Sequence, residues 1–213
     1  MYANQMQDRI IKAFEDSINI KKRFVAENTE LITEVARLIA DAFSEGKKLL
    51  IFGNGGSACD ASHIAAEFVN RFKMDRPGLP ALCLNTDMAV MTSIANDYDF
   101  SEVFARQLKT LSEPGDIVIA ISTSGNSKNI LRAIEAAKKK GLKLIALTGL
   151  KGDKFAKKSD YAFIVPSDDT PRIQETHITL AHVLCQMVEE ILFDIPRKRG
   201  SLGAFQSKKS DIP

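Results

Sequence analysis

The stretch "DIVIAISTSGNSKNILRAIEAAKKKGLKLIALTG", residues 116–149, decides the fold. Two short, nearly unbroken apolar runs, "DIVIAIS" and "KLIALTG", flank a segment of helical pattern, "SKNILRAIEAAKKKG". Continuous apolar runs are what strands buried on both faces require. Working outward, the same alternation continues. Upstream stand "KKLLIFG", the helical "SACDASHIAAEFVNRF", "ALCLN", and the helical "MAVMTSIAND" and "SEVFARQLKTL". Downstream come "YAFIVP" and a long helical segment, "PRIQETHITLAHVLCQMVEEILF". Strands alternating with helices predict an α/β fold: a central parallel sheet of about five strands, flanked by helices.

Residues 4 to about 46 read as two helices. Ile10, Ile11, Phe14 and Ile18, then Leu31, Val35, Leu38, Ile39 and Phe43, recur near the helical period. A break is expected near "AENTE", where Asn28 or Thr29 could cap the second helix. Their expected role is packing on the core or on a copy of the chain. With no internal repeat and no linker, residues 1–195 read as a single domain. The tail after it, 196–213, gains Gly, Ser, Pro and Lys, loses periodicity, and is expected to be mobile.

Composition narrows the function. The chain has 213 residues, 45% of them apolar and 26% charged, with a net charge of +2. That balance is globular and argues against nucleic acid as the main partner. No apolar run of about 18 residues is present, so no membrane span is expected. The polar N-terminus is unlike a secretory signal. Cys59, Cys83 and Cys185 are widely spaced and odd in number, which points to a reducing cytoplasm.

Two strand ends carry unusual chemistry, and in an open parallel sheet ligands gather at the carboxyl ends of strands. "IVIAISTSGNS" delivers Ser122, Thr123, Ser124 and Ser127 around Gly125, just before a helix. Hydroxyls and free N–H groups at a helix N-terminus suit an anion. The absence of both a Walker lysine pattern and G-x-G-x-x-G favours a compact phosphate monoester over a nucleotide. At the other end, "LLIFGNGGS", Gly55 and Gly56 let the backbone turn close to a ligand. On the helix that follows, His63 and Glu67 are i and i+4 and share one face. They could share a divalent metal or act together on a proton.

The segments "GNGGSACDASHIAAEFVNRF", "TSIANDYDF", "AISTSGNSKNILRAIEAAKKKG" and "RIQETHITLAH", in that order, resemble the sugar isomerase (SIS) fold and, within it, the phosphoheptose isomerase family. The resemblance runs from about residue 5 to 193. It implies a three-layer SIS sandwich and conversion of sedoheptulose 7-phosphate to D-glycero-D-manno-heptose 7-phosphate. It also implies a cytoplasmic homotetramer with active sites at subunit interfaces and one zinc ion per subunit. The implied zinc ligands are His63, Glu67, Gln174 and His182. Asn54, Gly55, Gly56, Glu67, Asn96, Asp97 and Gln174 would contact the sugar phosphate. Ser122, Thr123, Ser124 and Ser127 would hold its phosphate, and Glu67 and His182 would carry the proton chemistry.

Spacing tests this set. His177 and His182 lie roughly 140° apart around a helix, so at most one points into the site. Glu175 shares the face of His182 better than Gln174 does. Gln174 and His182 are separated by about 12 Å of helix rise. Either Gln174 precedes the helix proper, or the ligands come from different subunits. Asp60 stands near the site and could equally favour the helix N-terminus. Cys59 reads as a small packing residue, and Lys138, Lys139 and Lys140 as a solvated helix end. The competing classes are a non-enzymatic SIS protein that binds the replication initiator DnaA, and a sugar-phosphate-sensing regulator. The fold alone does not separate them.

Overall fold

The structure is a computed structural model that describes residues 2–194; the tail expected to be mobile lies outside the described residues. The N-terminal segment is one helix, not two: α1 runs unbroken over Tyr2–Ser44. The polar side chains read as a break fold back onto their own helix. Asn28 Nδ2 donates to the Phe24 carbonyl at 2.8 Å, and Thr29 Oγ1 to the Val25 carbonyl at 2.8 Å. Such back-bonds satisfy the side chains without ending the helix. Tertiary packing then outweighs the weak local preference, because Phe24, Ile32, Val35, Ala36, Ile39 and Phe43 form one buried stripe across that point.

The elements that follow match the alternation: β1 (Leu49–Gly53), α2 (Gly56–Val69), β2 (Ala81–Cys83), α3 (Met88–Asp97), α4 (Val103–Leu111), β3 (Ile117–Ile121), α5 (Lys128–Lys139), β4 (Lys143–Gly149), α6 (Asp153–Ala156), β5 (Tyr161–Val165) and α7 (Thr170–Glu189). The five strands are all parallel, in the order β2-β1-β3-β4-β5.

Alternate side chains enter two separate cores. Leu49 and Ile51 of β1 and Ile117, Ile119 and Ile121 of β3 pack among α1, α2 and α7. Leu50, Phe52, Val118 and Ala120 pack among α4, α5 and α6 on the other face. There Phe52 stacks on Phe104 with ring centroids 4.8 Å apart. Each buried Val, Leu, Ile or Phe side chain among them contributes about 1.5–3 kcal/mol of hydrophobic stabilisation.

This order places the site. The chain leaves β1 toward one edge through β2 and returns to the other side of β1 as β3. Gly53 is in register with Ile121, so the loops that follow β1 and β3 lie side by side at the switch point. β2 is only three residues long, and the Asn85 side chain continues its ladder. It accepts from Gly53 N at 3.2 Å and donates to Gly53 O at 2.9 Å.

Candidate active site

Two loops and two helices build the site. After β1, Gly55 adopts φ +56°, which L side chains rarely tolerate, and α2 begins at Gly56. At Gly56 the turn comes close to α7: a Cβ there would meet the amide end of the Gln174 side chain. The loop after β3 is laced to this one by reciprocal amide bonds. Asn54 Nδ2 donates to Asn129 Oδ1 and Asn129 Nδ2 to Asn54 Oδ1, both at 2.9 Å. Asn129 escaped the sequence reading. Its signal was an amide side chain in the first turn of a helix at the switch point, where a packing residue would serve the helix better.

In the hydroxyl-rich loop, Ser122 is buried while Ser124 is exposed. Ser127 is the N-cap of α5, yet its side chain makes no capping bond, and α2 has no side-chain cap either. At the start of α2 the Ser57 and Ala58 N–H groups already donate to the Asn54 and Gly55 carbonyls, each at 3.0 Å, so it is the uncapped start of α5 that offers N–H groups to an anion.

Farther along, α2 packs against α7 and three side chains converge. His63 Nε2 lies 3.0 Å from Glu67 Oε1 and 3.3 Å from His182 Nε2. One ligand atom from each of the three lies within 4.8 Å of the others. Tetrahedral zinc with bonds near 2.05 Å sets its ligand atoms about 3.3 Å apart, close to the two separations at His63, so the three side chains could hold such an ion. His182 is fixed on both sides: its ring stacks on Phe72 at 5.5 Å and meets His63 edge-on at 5.0 Å.

Gln174 is placed elsewhere. It lies inside α7, not before it, so the first of the two expected explanations of the spacing fails. The chain's own Gln174 faces the glycine turn, while His182, about 12 Å along the helix, faces His63 and Glu67. Glu67 and His182, which the shared-site idea could have divided between subunits, meet within one chain. Asn96 and Asp97 are exposed at the end of α3, with Asn96 Nδ2 donating to Asp97 Oδ1 at 2.9 Å.

The other candidates resolve individually. His177 is buried, with Nε2 3.3 Å from the Thr148 carbonyl, so only one of the two α7 histidines reaches the triad, as spacing requires. Glu175, which shares a face with His182, pairs instead with Arg172 at 2.6 Å. Burial pushes the Asp60 carboxyl up against the opposing pull of His63, and its Oδ2 is buried without a partner. Cys59 is exposed, not packed, because it falls on the outer side of α2. Lys140 is not simply solvated: its Nζ donates to the carbonyls of Lys109 at 2.9 Å and Ser112 at 2.7 Å, serving the unpaired end of α4.

A brace invisible to local sequence reading supports the triad. Glu189, wholly buried at the end of α7, accepts from Phe72 N, Lys73 N and Met74 N at 2.9, 2.9 and 3.2 Å. Arg76 Nε joins them at 2.7 Å, and Arg76 also donates to the Phe68 and Glu67 carbonyls, each at 2.8 Å. Burial alone would raise the Glu189 carboxyl; the three amides and the guanidinium outweigh it and hold the carboxyl below its ordinary range.

Burial depresses His177 from 6.5 to about 4, against a smaller opposing pull from the Thr148 bond. The folded protein thus binds fewer protons than the unfolded chain in that window. Stability should fall by about 3 kcal/mol as pH drops from 6.5 toward 4, and stop falling through this group below that. Melting temperature measured against pH checks this: His177→Gln, if folded, should flatten that part of the profile, and an unchanged slope rules the histidine out.

Residues 13–149 match the SIS domain family. The chain is 65% identical over 198 residues to the phosphoheptose isomerase of Thermodesulfovibrio yellowstonii, covering 93% of this chain and 98% of that one. The chain belongs to the phosphoheptose isomerase family. The family's Aquifex aeolicus member is 50% identical over 187 residues, covering 88% of this chain and 98% of its own. The solved phosphoheptose isomerase of Neisseria gonorrhoeae superimposes with a TM-score of 0.82 at 38% identity, covering 87% of this chain and 99% of that one. Membership makes the protein a sugar-phosphate isomerase and disfavours the purely binding reading. Among the described residues no helix is long and apolar enough to cross a membrane.

Proposed function

We propose that the protein isomerises sedoheptulose 7-phosphate to the α and β anomers of D-glycero-D-manno-heptose 7-phosphate, through an enediol. In this reading it works in the cytoplasm, at the first step toward ADP-heptose for lipopolysaccharide or capsule, with residues 1–195 as one domain. The observation that carries the reading is the convergence of His63, Glu67 and His182 at the α2–α7 seam, on a helix whose start is tied to the hydroxyl loop through Asn54 and Asn129.

Moving a carbonyl from C2 to C1 requires a proton to leave C1 and arrive at C2. Glu67 takes the C1 proton as His182 gives a proton to O2, which forms the enediol; His182 then takes the O1 proton as Glu67 returns its proton to C2, and both groups end as they began. His63, Glu67 and His182 would hold zinc, with Gln174 as a further ligand supplied from another subunit. Bound zinc supplies positive charge that favours developing negative charge on the sugar oxygens. Asn54, Gly55, Gly56, Asn96, Asp97 and Gln174 contact the sugar. Ser122, Thr123, Ser124 and Ser127 hold the phosphate and so set the sugar's register over the reacting carbons.

A homotetramer with sites at its interfaces fits the surface. Met6, Ile10, Phe14 and Ile18 recur every four residues along α1 and are 49%, 54%, 70% and 51% exposed, a long apolar stripe that another copy would cover. Sedimentation should give a species of four chains; a monomer would remove the shared-site part of the reading.

The deciding experiment is turnover of sedoheptulose 7-phosphate by the purified protein, with and without a chelator and added zinc. Turnover that chelation abolishes and zinc restores supports the reading. No turnover under any metal condition overturns it in favour of a binding role. Ser124→Ala should raise KM for the phosphate ester about twofold to tenfold, the loss of one hydrogen bond of about 0.5–1.5 kcal/mol. It should barely affect reaction of unphosphorylated sedoheptulose. Equal losses on both substrates would remove this loop from phosphate binding.

A further inference from the structure

We propose that His177 is a positioning residue: through Thr148 it holds the hydroxyl loop at a set distance from the helix that carries His182. The inference rests on the proposed phosphate role of that loop.

Three buried groups form the strut. His177 lies on α7, and its Nε2 donates to the Thr148 carbonyl at 3.3 Å. A carbonyl only accepts, so the ring proton sits on Nε2. Thr148, near the end of β4, donates from Oγ1 to the Ser122 carbonyl at 2.7 Å. Ser122 then organises the turn, with Oγ accepting from Gly125 N at 3.1 Å. His177 is 1% exposed, Thr148 0% and Ser122 5%, so water does not compete for these bonds.

Steric limits hold the same path. A Cβ on Gly125 would come within 2.6 Å of the Gly152 Cα, and one on Gly152 would strike Thr148 Oγ1. The hydroxyl turn, the 152 turn and Thr148 are thus packed to contact, leaving the loop little room to slide.

Packing alone does not call for a histidine here. Its Nδ1 is buried with no partner, a cost that an apolar side chain would avoid. What histidine supplies and leucine lacks is the donor to Thr148. The same helix presents Gln174 to the glycine turn and His182 to the triad. A strut from α7 to the loop therefore links the phosphate end of the substrate to the proton-transfer end. Loosening the strut frees the loop's donors from their set positions, a loss felt in the grip on the phosphate.

Three variants test it: His177→Leu, His177→Gln, which restores a donor at similar reach, and Thr148→Val, which removes only the bond to Ser122. Inorganic phosphate is the probe, with binding measured by calorimetry, alongside steady-state kinetics on sedoheptulose 7-phosphate. His177→Leu and Thr148→Val should each weaken phosphate binding and raise KM about threefold to tenfold. They should leave kcat within about twofold, because an altered phosphate grip acts on ground state and transition state alike. His177→Gln should recover both values. Unchanged phosphate affinity in a folded His177→Leu protein overturns the proposal, as does equal weakening by Leu and Gln. If His177→Leu does not fold, Thr148→Val decides by the same criterion. Phosphate calorimetry does not depend on turnover, so an inactive wild-type protein would sink the proposed reaction and still leave the strut open to test.

Discussion

Glu67→Gln lowers kcat at least about 100-fold and leaves KM close to its wild-type value, because a general base is lost while the shape of the site is kept. Glutamine is the same size as glutamate and still reaches His63, whose Nε2 sits 3.0 Å from the Glu67 carboxylate. It carries no charge and takes no proton from C1. Glu67 also belongs to the cluster proposed for zinc, so metal content has to be measured on the same sample. A loss of rate at full metal content assigns the effect to proton transfer. A variant with normal metal and a near-normal rate would remove Glu67 from the mechanism and leave His182 to be tested as the base.

Glu189→Gln is expected to destabilise the fold by about 3–5 kcal/mol, the usual cost of leaving one member of a buried pair unpaired. Both side chains of the Arg76–Glu189 pair are 1% exposed. The glutamine amide would also turn donors toward donors, since Glu189 accepts from the amides of Phe72, Lys73 and Met74. Urea unfolding at fixed protein concentration should show a lower midpoint with an unchanged slope. The double variant Arg76→Met, Glu189→Gln should lose less than the sum of the two single changes, because no guanidinium is then left uncompensated. Activity should fall as well: the loop this pair anchors carries Phe72, the ring stacked on His182. A midpoint shift equivalent to less than about 1 kcal/mol would mean that water or a neighbouring group takes over the charge.

Local pattern reaches only as far as local forces. The expected break at residues 26–30 is the clearest failure. Asn28 and Thr29 are good caps in isolation, yet both bond back to carbonyls one turn earlier, and the buried stripe from Phe24 to Phe43 carries the helix through. Cys59 failed for a related reason, since a residue's side of a helix says nothing about what covers that side.

From sequence alone, the alternation of apolar strands with helices determined a five-stranded parallel sheet, and the glycine and hydroxyl clusters marked two of its strand ends as candidates for ligand binding. These signals are legible because strand burial, turn formation and i, i+4 pairing act between near neighbours. Only the tertiary structure decided which distant groups meet. It brought His182 to His63 across 119 positions, sent Gln174 to the glycine turn, tied Asn54 to Asn129, and set Glu189 under the Phe72 loop. Those meetings follow from strand order and from the packing of α2 on α7. Both are set by burial of whole faces, so no short window of sequence contains them.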